Sequence, residues 1–374
     1  MTGPPDVIIV GGGVIGLTTA YFLAKERVSV AVVDQAEPGR QASWAGAGII
    51  PPGCSSRIKT PYDALRAHSA EMYPELSQEL RERTGIDNGY VVCGGLEVVD
   101  HAEEAPLDAW QEEGITFERW HAARLRDSLP QVSPALDSCY FLPGMAQVRN
   151  PRHLKALAAS CRLLGVQICA GYMVLGFERQ GCKITAIRTS NGQLSAGQFL
   201  IATGAWTDAL LKEVGWQPGV RPVRGQIALL SSETPLRHIL LWGKRYIVPR
   251  LDGRVLVGST EEEAGFDARP TAQAIAGLLA FAVDAVPGFA GAVVERCWAG
   301  LRPGTADGLP YVGRVPDVAN LFVAAGHFRA GIQLSPATGV VMKQIILGQK
   351  PLVPLDAFRL DRPVTAAPAK VFAS

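Results

Sequence analysis

Two short, uninterrupted apolar runs, residues 7–10 (Val-Ile-Ile-Val) and 28–33 (Val-Ser-Val-Ala-Val-Val), flank a segment whose apolar residues recur at helical spacing. That segment, 14–26, closes on Lys25-Glu26-Arg27. Strand, helix and strand in so compact a stretch form a βαβ unit. Runs that do not alternate with polar positions fit strands of a parallel sheet covered on both faces. Two later runs read the same way: 198–203, leading into Gly204-Ala205, and 320–325, followed by Gly326. A helix is expected from about 336 to 347, with Ser335 as N-cap, Pro336 in the first helical position and Gly348 just past the end.

The middle of the chain has another character. Residues 225–230, 246–249 and 254–259 are strand-like, and Leu251-Asp252-Gly253-Arg254 carries a hairpin turn signal, so these belong to an antiparallel sheet. Sheet types therefore interleave along the chain. The expected fold is α/β: a discontinuous Rossmann-like nucleotide-binding domain (1–85, 145–215 and 298–362) with an inserted α+β substrate domain built on an antiparallel sheet (86–144 and 216–297). A flexible tail is expected over 363–374. The most apolar stretch, 274–283, is stopped by Asp284 and Pro287 and reads as a buried helix, too short to span a membrane.

Composition narrows the class. A chain of 374 residues, 48% apolar and 19% charged, suggests two or three domains and is no disordered chain, coiled coil or disulfide-built miniprotein. The balance of 36 basic against 35 acidic residues gives no pull toward nucleic acid or an anionic membrane. Seven scattered cysteines without a C-x-x-C fit neither a disulfide framework nor a metal knuckle, and no metal is expected. With no signal-like N-terminus, a soluble cytoplasmic protein is expected. The unusual feature is 40 glycines, which suggest backbone brought close to something.

Several of those glycines fall in a motif. Gly11-Gly12-Gly13-Val14-Ile15-Gly16 fits G-x-G-x-x-G after a strand, opens a helix, and precedes Asp34 at the end of the next strand. Gly11 would make the tight turn, Gly13 would let backbone N–H groups approach a pyrophosphate, and Gly16 would let the helix pack on the sheet. Asp34 would accept from a ribose 2′-hydroxyl, which argues against a 2′-phosphate. The fingerprint alone does not separate FAD from NAD. A second small-residue loop, 40–48, and the strand end 200–206 offer further sites of close backbone approach.

These motifs resemble a known family. The fingerprint, Ser43-Trp44-Ala45-Gly46-Ala47-Gly48, Ala202-Thr203-Gly204-Ala205-Trp206, Tyr246-Ile247-Val248-Pro249-Arg250 and Val257-Gly258-Ser259-Thr260 are joined by residues 298–305 and 325–332. Together they resemble the glycine oxidase branch of the D-amino acid oxidase and sarcosine oxidase superfamily, from about residue 7 to 362. The resemblance implies non-covalent FAD and hydride transfer from a small amino acid (glycine, sarcosine or a small D-amino acid) to the flavin. It further implies an imine hydrolysed to the 2-oxo acid and ammonia, hydrogen peroxide from oxygen, and a role in making the thiazole of thiamine. It places the substrate carboxylate on Arg302, a further hydrogen bond on Tyr246, and Arg329 on the substrate side. For the cofactor it implies Gly11, Gly13, Val14, Ile15, Gly16, Asp34, Gln35, Ala42, Ser43, Ala47, Gly48, Ile49, Val174, Ala202 and Gly204. The segment His327, Phe328, Arg329, Ala330, Gly331, Ile332 and Gln333 completes the set. His327 is expected to position the cofactor rather than act as a base.

Departures from the family pattern bear on the substrate. Ala330 stands where the family usually has Asn, removing a polar contact near the ring edge. Glu261 is expected in a solvated Glu261-Glu262-Glu263 run; were it to reach the pocket, it would disfavour acidic substrates. Cys297 has the spacing from Pro303 at which sarcosine oxidases link flavin covalently, though an ordinary buried thiol fits better. Substrate-lining side chains are expected from 54–62 and 242–244. A dehydrogenase passing electrons to a carrier, a flavin-binding subunit of a hetero-oligomer and a nicotinamide dehydrogenase are the rival readings. A homo-oligomer is compatible with the sequence.

Overall fold

The computed structural model describes residues 3–98, 105–364 and 372. Its centre is a six-stranded sheet in the order Tyr311–Arg314, Leu321–Ala325, Gln198–Ile201, Val7–Val10, Val30–Asp34, Gln167–Ala170. All neighbours run parallel except the edge strand Tyr311–Arg314. The absence of alternation in the apolar runs has a direct cause, because both faces are covered. Val7, Ile9 and Val32 join the core under helices Val14–Lys25, Pro61–Thr84, Asn150–Leu163 and Gly331–Ile346. Ile8, Val10 and Val33 point into the opposite core, shared with the small antiparallel sheet Val174–Gln180, Lys183–Thr189 and Gly192–Ser195.

The second large sheet has eight strands in the order Val293–Gly304, Arg221–Ser231, Arg254–Gly258, Arg245–Pro249, Ile239–Trp242, Gly95–Val98, Ser138–Leu142, Glu118–His121. It is antiparallel except where Ile239–Trp242 runs parallel to Gly95–Val98. Strand Val293–Gly304 continues in this sheet well past 298. Helix Ala272–Ala285 covers one face. It is not the buried helix its apolarity suggested, since only Leu278, Phe281, Ala282 and Ala285 are buried.

The late helix begins earlier than its sequence signals indicate. It spans Gly331–Ile346 with Ala330 as N-cap, so Ser335 and Pro336 lie inside it. Proline cannot donate to the carbonyl four residues back. That carbonyl, on Ile332, instead accepts from the Tyr73 hydroxyl at 2.5 Å and from Ser335 Oγ at 2.9 Å. The tertiary partner removes the penalty that Pro336 would impose, which no local rule could reveal. Gly348, at φ +70°, does follow the helix end. The long helix Pro61–Thr84 starts at Thr60, whose Oγ1 accepts from the Asp63 N–H at 3.1 Å, with Pro61 in the first turn. Of the expected flexible tail, 365–371 and 373–374 lie outside the described residues, and Phe372 is buried.

His153, on helix Asn150–Leu163, is fully buried, and its Nδ1 lies 3.1 Å from the Asn88 amide. Burial holds the imidazole down to about 4. Below about pH 6.5 the unfolded chain takes up a proton that the folded chain refuses, so stability falls as pH drops from 6.5 toward 4. His153→Gln is expected to flatten the stability–pH slope in that window by up to about 1.4 kcal/mol per pH unit in urea melts, whatever its offset at neutral pH. Equal slopes for the two proteins would contradict this.

Candidate functional site

One continuous cavity runs from the C-terminal ends of the parallel strands to the face of the eight-stranded sheet that carries Tyr246 and Arg302. At its first end, Gly11 leaves strand Val7–Val10 at φ +106°. A Cβ there would sit 2.4 Å from the Ala202 carbonyl oxygen, so the turn requires glycine. A Cβ on Gly16 would sit 2.0 Å from the Gly11 carbonyl oxygen. Gly13, by contrast, would meet only Ser43 Oγ at 3.3 Å, which leaves its backbone bare toward the cavity. Ser43 Oγ accepts from the Val14 N–H at 3.0 Å and so ties the small-residue loop to the start of the first helix.

Asp34 ends the second strand. Its Oδ2 accepts from the Gly12 N–H at 2.7 Å and its Oδ1 from the Ala36 N–H at 3.0 Å. Burial raises its pKa, and those two bonds oppose the rise. The loop carrying Ala47 and Gly48 is fixed from below. A Cβ on Gly48 would lie 2.2 Å from the Val148 carbonyl oxygen, and Arg250 donates to the Ala47 carbonyl at 2.7 Å and the Val148 carbonyl at 3.0 Å. Burial pushes the Arg250 guanidinium down to about 10.

At the other end, Arg302 donates from Nη1 to the Thr260 carbonyl at 2.9 Å and from Nη2 to Ser259 Oγ at 2.7 Å. Among the described residues no carboxylate lies within ion-pair distance of it. Desolvation pulls its pKa down, opposed by Tyr246 and Glu261 and reinforced by Arg329. Two glycines make room for this pair. A Cβ on Gly225 would fall 2.1 Å from Arg302 Nη2, and one on Gly258, directly across from Tyr246, would fall 2.6 Å from its ring.

The cavity gathers nearly all the residues expected there. Gly11, Gly13, Val14, Ile15, Asp34, Gln35, Ala42, Ser43, Ala47, Gly48, Ile49 and Val174 line it, as do Ala202, Gly204, Tyr246 and Arg302. His327, Phe328, Arg329, Gly331, Ile332 and Gln333 line it too. Gly16 and Ala330 do not: Gly16 packs helix against strand, and Ala330 is the buried N-cap of the late helix. Cys297 lies outside it, and burial raises the thiol pKa. From the two stretches expected to line the substrate side, only Gly243 contributes; Pro51, Leu241 and Arg245, just outside those stretches, also line the cavity.

Burial holds His327 down to about 3, so it is neutral at ordinary pH, with Nε2 3.2 Å from Thr338 Oγ1. The acidic run is not simply solvated. Glu262 pairs with Arg224, Glu263 with Arg221, and Glu261 lies 3.7 Å from Arg329 and 3.8 Å from Lys244. Sequence reasoning missed Asn150, which donates to the Ser43 carbonyl at 2.8 Å, and Trp298, which donates to the Ala45 carbonyl at 3.0 Å. It also missed the role of Gly225, although a glycine inside a strand is a signal of close approach.

The donor set suits FAD. A helix N-terminus with bare backbone beside it suits a pyrophosphate, and a carboxylate at the second strand end suits an unphosphorylated ribose. The cavity then continues to a recessed arginine on another sheet. These features define a flavin-dependent oxidoreductase. Residues 6–345 match the family described as FAD dependent oxidoreductase. The chain is 39% identical to a glycine oxidase of Pseudomonas putida, over 93% of this chain and 96% of that one. It is 32% identical to a bifunctional protein ThiO/ThiG of Synechocystis sp., over 96% of this chain and 54% of that one. The crystal structure of glycine oxidase from Geobacillus kaustophilus superposes with a TM-score of 0.91 at 34% identity, over 96% of this chain and 99% of that one. The chain belongs to the FAD-dependent oxidoreductase family, in its glycine oxidase branch.

Gly225 gives a test that separates the site from the fold. Gly225→Ala puts a methyl where the guanidinium sits, and the far end of a side chain moves more readily than a strand. The expected result is about a tenfold or greater rise in KM for substrate, the cost of an ill-placed charge partner, with retained FAD and little change in Tm. An unchanged KM would show that Arg302 does not hold substrate.

Proposed function

We propose that this chain oxidises glycine and comparably small amino acids, with Arg302 holding the substrate carboxylate. One observation carries this reading: a desolvated guanidinium whose fixed partners are a carbonyl and a hydroxyl, with no carboxylate among the described residues. A buried charge without a counter-charge is costly, and a bound carboxylate removes that cost. Both Nη atoms carry a second N–H, so they can meet a carboxylate with two parallel charge-assisted bonds.

The two-electron oxidation, and the return of those electrons to molecular oxygen, are the chemistry that bound FAD supplies. The overall reaction is glycine, oxygen and water to glyoxylate, ammonia and hydrogen peroxide. The chain's part is position and field. Arg302 fixes the carboxylate, the Tyr246 hydroxyl donates to it, and together they hold Cα in one orientation. Gly13, Val14 and Ser43 would hold the pyrophosphate and Asp34 the ribose, and the start of helix Gly331–Ile346, which lines the cavity, would favour negative charge on a bound flavin. His327, neutral and turned to Thr338, positions the cofactor and takes no proton.

Residues 3–85, 145–215 and 305–362 form the cofactor domain in this reading, with 86–98, 105–144 and 216–304 forming the substrate domain. The match to the fused ThiO/ThiG protein supports a place for the product imine in making the thiazole of thiamine. Seven free thiols and the absence, among the described residues, of a helix long and apolar enough to cross a membrane support a cytoplasmic setting.

Arg302→Ala is expected to lower kcat/KM for glycine by about a hundredfold or more, the scale of removing one partner of a buried charge pair, with FAD content unchanged. Unchanged apparent affinity would overturn the assignment. Glu261 balances Arg329 and Lys244 at the same end of the site and so leaves Arg302 to read a single carboxylate. Glu261→Gln is expected to raise kcat/KM for D-aspartate relative to glycine by about fivefold at low salt, the gain shrinking as ionic strength rises. A salt-independent or absent gain would contradict this.

A further inference from the structure

The cavity that Tyr246 lines is also walled by a residue remote from it in sequence, which shares a buried apolar cluster with Tyr246. Phe372 is buried at 5% exposure and lines the cavity together with Glu97, Leu241 and Pro51. Its ring stacks on Trp110, centroids 5.7 Å apart and planes at 27°. On another side it lies over the Arg66 guanidinium, 5.1 Å from the ring centroid.

Arg66 is itself immobilised. It is fully buried, pairs with Glu113 and with Asp63 at 3.4 Å, and donates to the Pro52 carbonyl at 2.5 Å. Glu113 in turn accepts from the Cys54 N–H at 3.3 Å. All three guanidinium nitrogens are thus engaged in the plane by carboxylates and backbone, and the face packs against an aromatic ring. Trp110 and Glu113 come from one short helix, Leu107–Glu113, and Asp63 and Arg66 from the start of helix Pro61–Thr84. Two helices and the loop after the strand Ile49–Ile50 therefore build a rigid seat for one phenyl ring, at the edge of the space beside Tyr246.

We propose that Phe372 is a specificity-determining residue: it closes the cavity beside the substrate nitrogen and Cα and confines the enzyme to its smallest substrates. This rests on the reading above, in which Arg302 and Tyr246 hold the carboxylate. With the carboxylate fixed there, any substituent larger than hydrogen or methyl must find room among the neighbouring walls. Phe372 is a bulky wall that belongs to neither sheet and is held by packing against Trp110 and Arg66. Its truncation to alanine would open a space the size of a phenyl group beside Trp110 and Arg66. The rigid seat matters, because a ring that could swing away would exclude nothing.

The test compares wild type, Phe372→Ala and Phe372→Leu as holoenzymes, with glycine, sarcosine, N-ethylglycine and D-proline. Phe372→Ala is expected to raise kcat/KM for N-ethylglycine and D-proline relative to glycine by about tenfold or more, the scale at which an apolar pocket discriminates by a methylene or two. Phe372→Leu should fall between the two. Equilibrium binding of two unreactive carboxylates gives a readout independent of turnover: acetate should bind both proteins alike, while cyclohexylacetate should bind Phe372→Ala more tightly. Unchanged ratios in both measurements, with only a lower Tm, would assign Phe372 to packing and overturn the proposal. If wild type fails to bind acetate or oxidise glycine, it is the Arg302 reading that fails instead.

Discussion

A guanidinium recessed in the cavity wall, with no carboxylate among the described residues within ion-pair distance, is the constraint on which the proposed substrate end of this molecule depends. Arg302 projects from strand Val293–Gly304 into space that Gly225 leaves open on the adjacent strand, and its two fixed bonds go to Ser259 and Thr260 at the end of the next. Those partners orient the group without neutralising it. In the proposed reading the charge that completes it is the carboxylate of the bound substrate. Glu261, whose charge also acts on Arg302, lies within ion-pair distance of Arg329 and Lys244.

The cofactor end obeys a different logic. There the recognition elements are backbone, and side chains act chiefly by holding loops in place. Ser43 anchors the first helix, Asn150 holds the Ser43 carbonyl, and Arg250 reaches from the eight-stranded sheet to the Ala47 and Val148 carbonyls. Arg250 and Trp298, which donates to Ala45, thus tie the antiparallel sheet to the loop beside the parallel one. The two sheets meet across this loop, so a cofactor cradled by one can face a substrate held by the other.

The parallel sheet was legible because its strands are buried on both faces and its first turn carries residue types that only a close backbone approach requires. The fingerprint, Asp34 and the motif around Arg302 were brought into one cavity for the same reason. Less legible were features decided by distant partners. Pro336 looks like a helix start until Tyr73 is found satisfying the carbonyl it orphans. Helix Ala272–Ala285 looks buried by composition, yet only one face meets the sheet. Glu261 looks solvated until Arg329 and Lys244 are brought beside it from elsewhere in the chain. Phe372, in a stretch of small residues and prolines, carries no local signal that Arg66 and Trp110 form its seat.

The central claim concerns where a carboxylate binds, and a crystal structure of the FAD-loaded enzyme with acetate tests it directly. The expected result is an acetate with its two oxygens within about 3 Å of Arg302 Nη1 and Nη2, the geometry of a charge-assisted fork. Acetate seated instead on Arg329 or Lys244, with Arg302 still bound only to Ser259 and Thr260, would contradict it.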